Sequence, residues 1–169
     1  MNLRLDEQKQ YILQEFRESD QFTIIFICSG NIIRSPYAHL LFEHLIQEDS
    51  ELKKKIRVES GGVTYRNYVI SNETRDMLLK EGVSAKKIAE FKPRYFPDHP
   101  DMFQEVDLVL VMEKNHIRKV PKDQTFLLLE FTLGNPINVP DPYFDPPFEK
   151  SFQMIKDALI QLREIFRNN

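Results

Sequence analysis

One cysteine in 169 residues excludes an internal disulfide, and with it any zinc site built on several thiolates. The four histidines, His39, His44, His99 and His116, show no metal-ligand spacing and read as surface or helix-face positions, so neither a metal nor another cofactor is expected. Apolar runs such as Phe126 to Leu129 are far shorter than the roughly 20 residues that span a bilayer, and the opening MNLRLDEQKQ has no apolar signal-peptide stretch. These absences predict a cytoplasmic protein with no membrane partner. With 23 Lys and Arg against 26 Asp and Glu the formal charge is −3, which excludes the broad basic surface that nucleic acid requires. Neither a Gly-rich loop ending in Lys-Ser/Thr nor G-x-G-x-x-G follows the first apolar run, so a nucleotide-binding loop is excluded as well.

What is present suffices for one folded domain. The chain is 41% hydrophobic and 11% aromatic, at a length that buries a single core. Residues 3 to 18 set Leu3, Leu5, Tyr11, Ile12 and Phe16 among charges, the pattern of an amphipathic helix; residues 1–20 read as a helical extension and 21–169 as the main domain. Thr23 to Ile27 is β-branched and aromatic without polar alternation, as in a strand buried on both faces. Ser35 as N-cap and Pro36 at the first position start a helix with Ala38, Leu41, Phe42 and Leu45 on one stripe. A second strand, Ile56 to Val58, runs into Ser60, Gly61 and Gly62, and LKKKIR before it (residues 52 to 57) reads as a solvated connection. Residues 71 to 81 form a helix that Gly82 ends. Asp107 to Met112 is the strongest strand signal, followed by a helical turn in EKNHIRKV; Thr125 to Phe131 is a fourth strand, and Phe148 to Phe166 a closing helix. The βαβαβαβα order predicts an α/β fold, a doubly wound four-stranded parallel sheet with helices on both faces. Ligands of such folds sit beyond the carboxyl ends of the strands, where the cysteine lies.

The stretch after that strand, Cys28-Ser29-Gly30-Asn31-Ile32-Ile33-Arg34-Ser35-Pro36, joins strand to helix. Gly30 and Asn31 are the residue types that most readily supply turn dihedrals, and a curled loop aims its amides inward. Joined to the free N–H groups at a helix start, those amides favour a phosphate or a thiolate. Arg34 can grip two phosphate oxygens with its planar fork. The Ser35 hydroxyl can cap the helix, donate to the sulfur, or do both. A thiolate that takes up a phosphoryl group needs one carboxyl to serve as acid and then as base. VPDPYFDPP offers Asp141 and Asp145 on the same sheet edge; Asp141 is favoured because Tyr143 and Phe144 follow it and can hold a flat aromatic ring.

Cys28 to Pro36 resembles the C-x5-R-S-P signature of the low-molecular-weight protein tyrosine phosphatases, and Asp141-Pro-Tyr-Phe is similar to that family's acid loop, Asp-Pro-Tyr-Tyr. VESGG at Val58 to Gly62, and Asp107 to Met112 with Glu113, resemble two further segments in the family's order, so the likeness covers roughly residues 22 to 167. It implies metal-free hydrolysis of a phosphomonoester through a cysteinyl-phosphate, with Cys28 as nucleophile, Arg34 as clamp, Ser35 as thiolate partner, Asn31 as loop stabiliser and Asp141 as acid. The implied substrate is a phosphotyrosine-containing protein or a small aryl phosphate, and inorganic phosphate is the product. Ile33 stands where many members carry a second, protective cysteine, and Ile32 where the phosphoarginine branch carries threonine. Related arsenate reductases need further cysteines, which excludes that activity here. Tyr65 and Tyr68 are both candidates for the aromatic wall after the second strand. The alternative reading is a phosphate- or phosphoprotein-binding module that has lost turnover.

Overall fold

The computed structural model describes residues 3 to 169. Helix α1 (Leu3–Glu18) is followed by β1 (Phe22–Cys28), α2 (Arg34–Leu45), α3 (Ser50–Lys55), β2 (Ile56–Gly62), α4 (Asn72–Lys80), α5 (Ala85–Glu90) and a 3₁₀ turn (Phe96–Asp98). Then come β3 (Leu108–Val111), α6 (Lys114–Ile117), β4 (Thr125–Leu127), α7 (Leu128–Leu133) and α8 (Phe148–Arg167). The four strands form one parallel sheet in the order β2-β1-β3-β4. All seven residues of β1 and all four of β3 are buried, which explains why neither alternates with polar residues, whereas edge strand β2 exposes Arg57.

Side chains of alternating strand positions divide the core in two. Ile24, Phe26, Leu108 and Leu110 face the larger cluster with α1, α2, α7 and α8; Ile25, Ile27, Val109 and Val111 face a smaller one built from Val63, Met102, Val106 and Val120. The second face is therefore covered mostly by turns and short helical pieces, because the segment between α5 and β3 carries too few periodic apolar residues for a long helix.

Several local expectations need correction. The fourth strand is only three residues long: Leu128 to Phe131 turn into α7, which ends at Gly134 with φ 69°. LKKKIR is no loose connection, since Asp49 caps α3 by accepting from Leu52 N–H at 3.1 Å and the helix runs straight into β2. Ser35 is not the N-cap; α2 already starts at Arg34, leaving Ser35 inside the first turn. In α1 the buried positions are Ile12, Leu13 and Phe16, while Tyr11 is exposed. Met1 and Asn2 of the predicted extension lie outside the described residues. The rest of it shares the main core: Phe16 packs on Phe22 and Phe166 at ring separations of 5.3 and 4.6 Å. Helix α4 matches its prediction, with the Ser71 hydroxyl capping Thr74 N–H and Gly82 at φ 88° beyond its end.

Candidate active site

In the order β2-β1-β3-β4 the chain leaves β1 toward one edge and returns past it to β3. That reversal opens a crevice beyond the carboxyl ends of β1 and β3, the usual ligand position in doubly wound sheets. The loop from Cys28 to Ile33 fills it, together with the residues just after β3. A cavity of about 560 Å³ there is lined by Cys28, Ser29, Gly30, Ile32, Ile33 and Arg34 on one side and by Asp141, Tyr143 and Phe144 on another, with Tyr65 to Asn67 between.

The loop is shaped by two residues in particular. Asn31 takes the left-handed conformation, φ 55°, and is completely buried, so all its polar atoms need partners. Its amide nitrogen donates to Ser35 Oγ at 2.8 Å and Ser60 Oγ at 3.1 Å, and its Oδ1 accepts Arg94 N–H at 2.9 Å. Gly62, at the end of β2, lies so close that a Cβ there would meet Gly30 C at 2.9 Å and Ser29 O at 3.0 Å. Only glycine lets this strand end support the loop. Among the described residues, none of the amides from Gly30 to Ile33 donates to a backbone carbonyl, the condition for an anion cradle.

Cys28 Sγ lies 2.9 Å from Ser35 Oγ and accepts Asn31 N–H at 3.3 Å. The Ser35 hydroxyl thus lies beside the sulfur, with Gly61 O also within reach at 3.4 Å, and does not cap the helix. Arg34 is 1% exposed and its two ends are used differently. Nη1 is anchored on the Glu113 carboxylate and on Val139 O at 2.9 Å; Nη2 makes only longer contacts, 3.3 Å to Asp141 Oδ2 and 3.5 Å to Ser29 Oγ. The anchor holds the guanidinium plane while the Nη2 edge faces the cavity.

Asp141 opens a turn in which Tyr143 N–H donates to its Oδ1 at 3.1 Å and Asp145 N–H to its main-chain oxygen at 2.9 Å. Its carboxyl is four-fifths buried at the cavity. Asp145 does not line this cavity; its side chain is mostly exposed, with Lys150 Nζ 4.0 Å from its carboxylate. Tyr143 and Phe144 stand at the rim with ring centroids 5.1 Å apart. Tyr65 lines this cavity; Tyr68 does not, and lines a separate groove with Val69 and Phe91 instead.

Sequence reasoning gave no role to Glu113 or to His116. Glu113 is the second residue beyond β3, a position on the ligand edge that topology alone marks. His116, expected at a surface or helix face, is buried. Its Nδ1 accepts Glu113 N–H at 3.2 Å and its Nε2 lies 2.9 Å from Ser29 Oγ. Burial, with Arg34 and Lys119 adding repulsion, pushes its pKa from 6.5 down to about 3, so the ring is neutral at ordinary pH. Among the described residues no group of three His, Cys, Asp or Glu is placed to hold a metal ion, and no helix is long and apolar enough to cross a membrane.

The doubly wound sheet and the loop that places a thiol, an arginine and a carboxylate around one cavity define a Cys-x5-Arg protein of the α/β class. Comparison makes the assignment narrower: the family model for low molecular weight phosphotyrosine protein phosphatases matches residues 23–169, and the chain belongs to that family of hydrolases. It is 27% identical over 157 residues to the low molecular weight protein-tyrosine-phosphatase YfkJ of Bacillus subtilis (strain 168), covering 83% of this chain and 92% of that protein. The protein-arginine-phosphatase of the same organism is 26% identical over 151 residues, covering 85% and 91%. Among solved structures, the low molecular weight protein tyrosine phosphatase from T. tengcongensis superimposes with a TM-score of 0.69 at 26% identity, covering 85% of this chain and 99% of that one.

Proposed function

We propose that this chain hydrolyses phosphotyrosine in proteins, and small aryl phosphates, through a cysteinyl-phosphate intermediate. The observation that carries the reading is the position of Cys28 Sγ, which accepts Asn31 N–H and lies 2.9 Å from Ser35 Oγ in a cavity whose walls carry Arg34 and Asp141. In the first step the thiolate attacks phosphorus, an S–P bond forms and the ester P–O bond breaks. The Asp141 carboxylic acid gives its proton to the departing phenolic oxygen. In the second step Asp141, now a carboxylate, takes a proton from water as the water oxygen bonds to phosphorus. The S–P bond breaks, the thiolate is restored with the Ser35 hydroxyl donating to it, and inorganic phosphate leaves. Arg34, through its Nη2 edge, holds the equatorial oxygens in both steps.

Phosphotyrosine is favoured over phosphoarginine by the cavity wall. Tyr65, Tyr143 and Phe144 contribute aromatic rings to its lining, together with apolar Ile32. A planar, uncharged ring gains from both features, and a cationic guanidinium gains nothing from Ile32. A reducing, cytoplasmic setting suits a working thiol with no second cysteine to protect it. The test is hydrolysis of p-nitrophenyl phosphate without added metal, beside Cys28→Ser. Wild type should turn over and Cys28→Ser should fall to background while still binding inorganic phosphate. A wild type that binds orthovanadate yet hydrolyses nothing would instead make the chain a phosphate-binding module.

A further inference from the structure

The reaction outlined above leaves His116 without a task, although its burial and its bonds are specific. A backbone amide only donates, so the ring nitrogen that accepts Glu113 N–H, Nδ1, carries the lone pair. In the neutral ring the proton is therefore on Nε2, and it is donated to Ser29 Oγ at 2.9 Å. The same oxygen faces Arg34 Nη2 at 3.5 Å, a second group that only donates. With donors on both of its lone pairs, the Ser29 hydroxyl must direct its own hydrogen elsewhere. Ser29 lines the cavity beside Cys28 and Asp141, so the acceptor belongs to the cavity.

We infer that the Ser29 hydroxyl donates a hydrogen bond to the phosphoryl group in the cavity, and that His116 is the positioning residue that forces it to do so. The inference rests on the phosphatase reading for its substrate but on hydrogen-bond bookkeeping for its geometry. Ser29 Oγ lies 3.5 Å from Arg34 Nη2, so a phosphoryl oxygen held by that nitrogen would be within the hydroxyl's reach. A neutral donor set against a charged oxygen strengthens as charge grows on the equatorial oxygens, and its orientation costs nothing at the moment of reaction. His116 suits the task because it is neutral at working pH: a protonated ring would lose the Nδ1 bond to Glu113 and disturb the residue that anchors Arg34.

The experiment combines Ser29→Ala, His116→Phe and the double variant, read by kcat and KM on p-nitrophenyl phosphate, by the inhibition constant of orthovanadate, and by thermal unfolding. Ser29→Ala should lower kcat/KM about tenfold or more and weaken orthovanadate binding, with a melting temperature lowered modestly because the buried His116 Nε2–H loses its acceptor. His116→Phe should give the same kinetic loss, and the double variant no further loss. His116→Gln, whose side-chain amide can still donate to Ser29, should recover most of it. Nitrogen NMR of the histidine rings reads the tautomer without any turnover, and His116 should be protonated on Nε2 from pH 5 to 8. Ser29→Ala activity within twofold of wild type, additive losses in the double variant, or a proton on Nδ1 would each overturn the inference. An inactive wild type would defeat the phosphatase reading alone, because orthovanadate affinity and the tautomer still decide the role of Ser29 and His116.

Discussion

Strand β1 starts at Phe22 in a cluster of aromatic rings and ends at Cys28 in a knot of buried polar groups. At the first end Phe16, Phe22 and Phe166 pack with centroids 4.6 to 5.6 Å apart, and the interaction is burial of apolar area, which has no preferred direction. At the other end Asn31, Arg34, Ser35, Ser60 and His116 are all buried, and each has named partners at hydrogen-bond distance. The first end tolerates any packing of similar volume; the second tolerates only the arrangement that leaves no donor or acceptor orphaned, because each orphan costs about 1–3 kcal/mol. Stability and chemistry are thereby separated along seven residues of one strand.

The sharpest way to break that separation is to empty the aromatic end. Phe16→Ala removes a ring from a site that α1 and α8 close from both sides, and should lower unfolding free energy by about 3–5 kcal/mol in a denaturant titration. Turnover per folded molecule should stay within about twofold of wild type. A large change in kcat of the folded fraction would show that the two ends are mechanically coupled after all.

Next in size is the acid. Asp141→Asn should reduce turnover of phenyl phosphate by about 10²–10³-fold and of p-nitrophenyl phosphate much less, since the better leaving group needs less protonation. Asp145→Asn, at a mostly exposed carboxylate outside the cavity, should leave both rates within about twofold. The reverse ranking would move the acid role to Asp145.

How far the sequence carried this picture differs between the two ends in the same physical way. The buried strand around Ile24 to Ile27, the helix of α8 and the thiol loop follow from local patterns: unbroken β-branched runs, a 3.6-residue stripe, and a Cys-Gly-Asn-Arg spacing between strand and helix. The second half of the expected fourth strand is helix because Leu128, Leu129 and Phe131 continue the apolar run with only Glu130 to interrupt it, and periodicity over so few residues does not separate a short buried helix from a strand. The contacts of Glu113 and His116 follow from no local pattern for another reason. Their partners, Arg34 and Ser29, lie 79 and 87 residues away, and only the crossing from β1 to β3 brings them together. The groove around Tyr68 illustrates the same limit: three residues beyond Tyr65, it faces another cavity because the loop turns between them.

His116 also makes stability depend on pH. Between pH 6.5 and about 3 the unfolded chain binds a proton on this ring that the native state does not. Its contribution is therefore complete above pH 6.5 and lost as pH falls through that window, at no more than about 1.4 kcal/mol per pH unit. Denaturant midpoints measured from pH 7 to pH 4 should fall less steeply in His116→Gln than in wild type. Parallel curves would show that the ring titrates equally in both states.

The smallest expected effect tests how the polar end is braced from behind. Ser71 caps α4 by accepting Thr74 N–H at 3.2 Å, and its own N–H donates to the Ile32 carbonyl at 3.0 Å. Thr74 Oγ1 donates to the Ile33 carbonyl at 3.3 Å, so the start of α4 fastens two consecutive carbonyls on the outer side of the thiol loop. With the Ile32 oxygen held by α4, the Ile33 amide of the same planar peptide points away from that helix. Ser71→Ala keeps the main-chain bond and removes the cap, which should cost about 1 kcal/mol in stability and leave kcat/KM near wild type. Thr74→Val, similar in volume, removes the bond to Ile33 as well as a buried hydroxyl, and should weaken orthovanadate binding severalfold at a comparable stability cost. If Ser71→Ala weakened orthovanadate binding as much as Thr74→Val does, the cap rather than the carbonyl bond would be what holds the loop open to an anion.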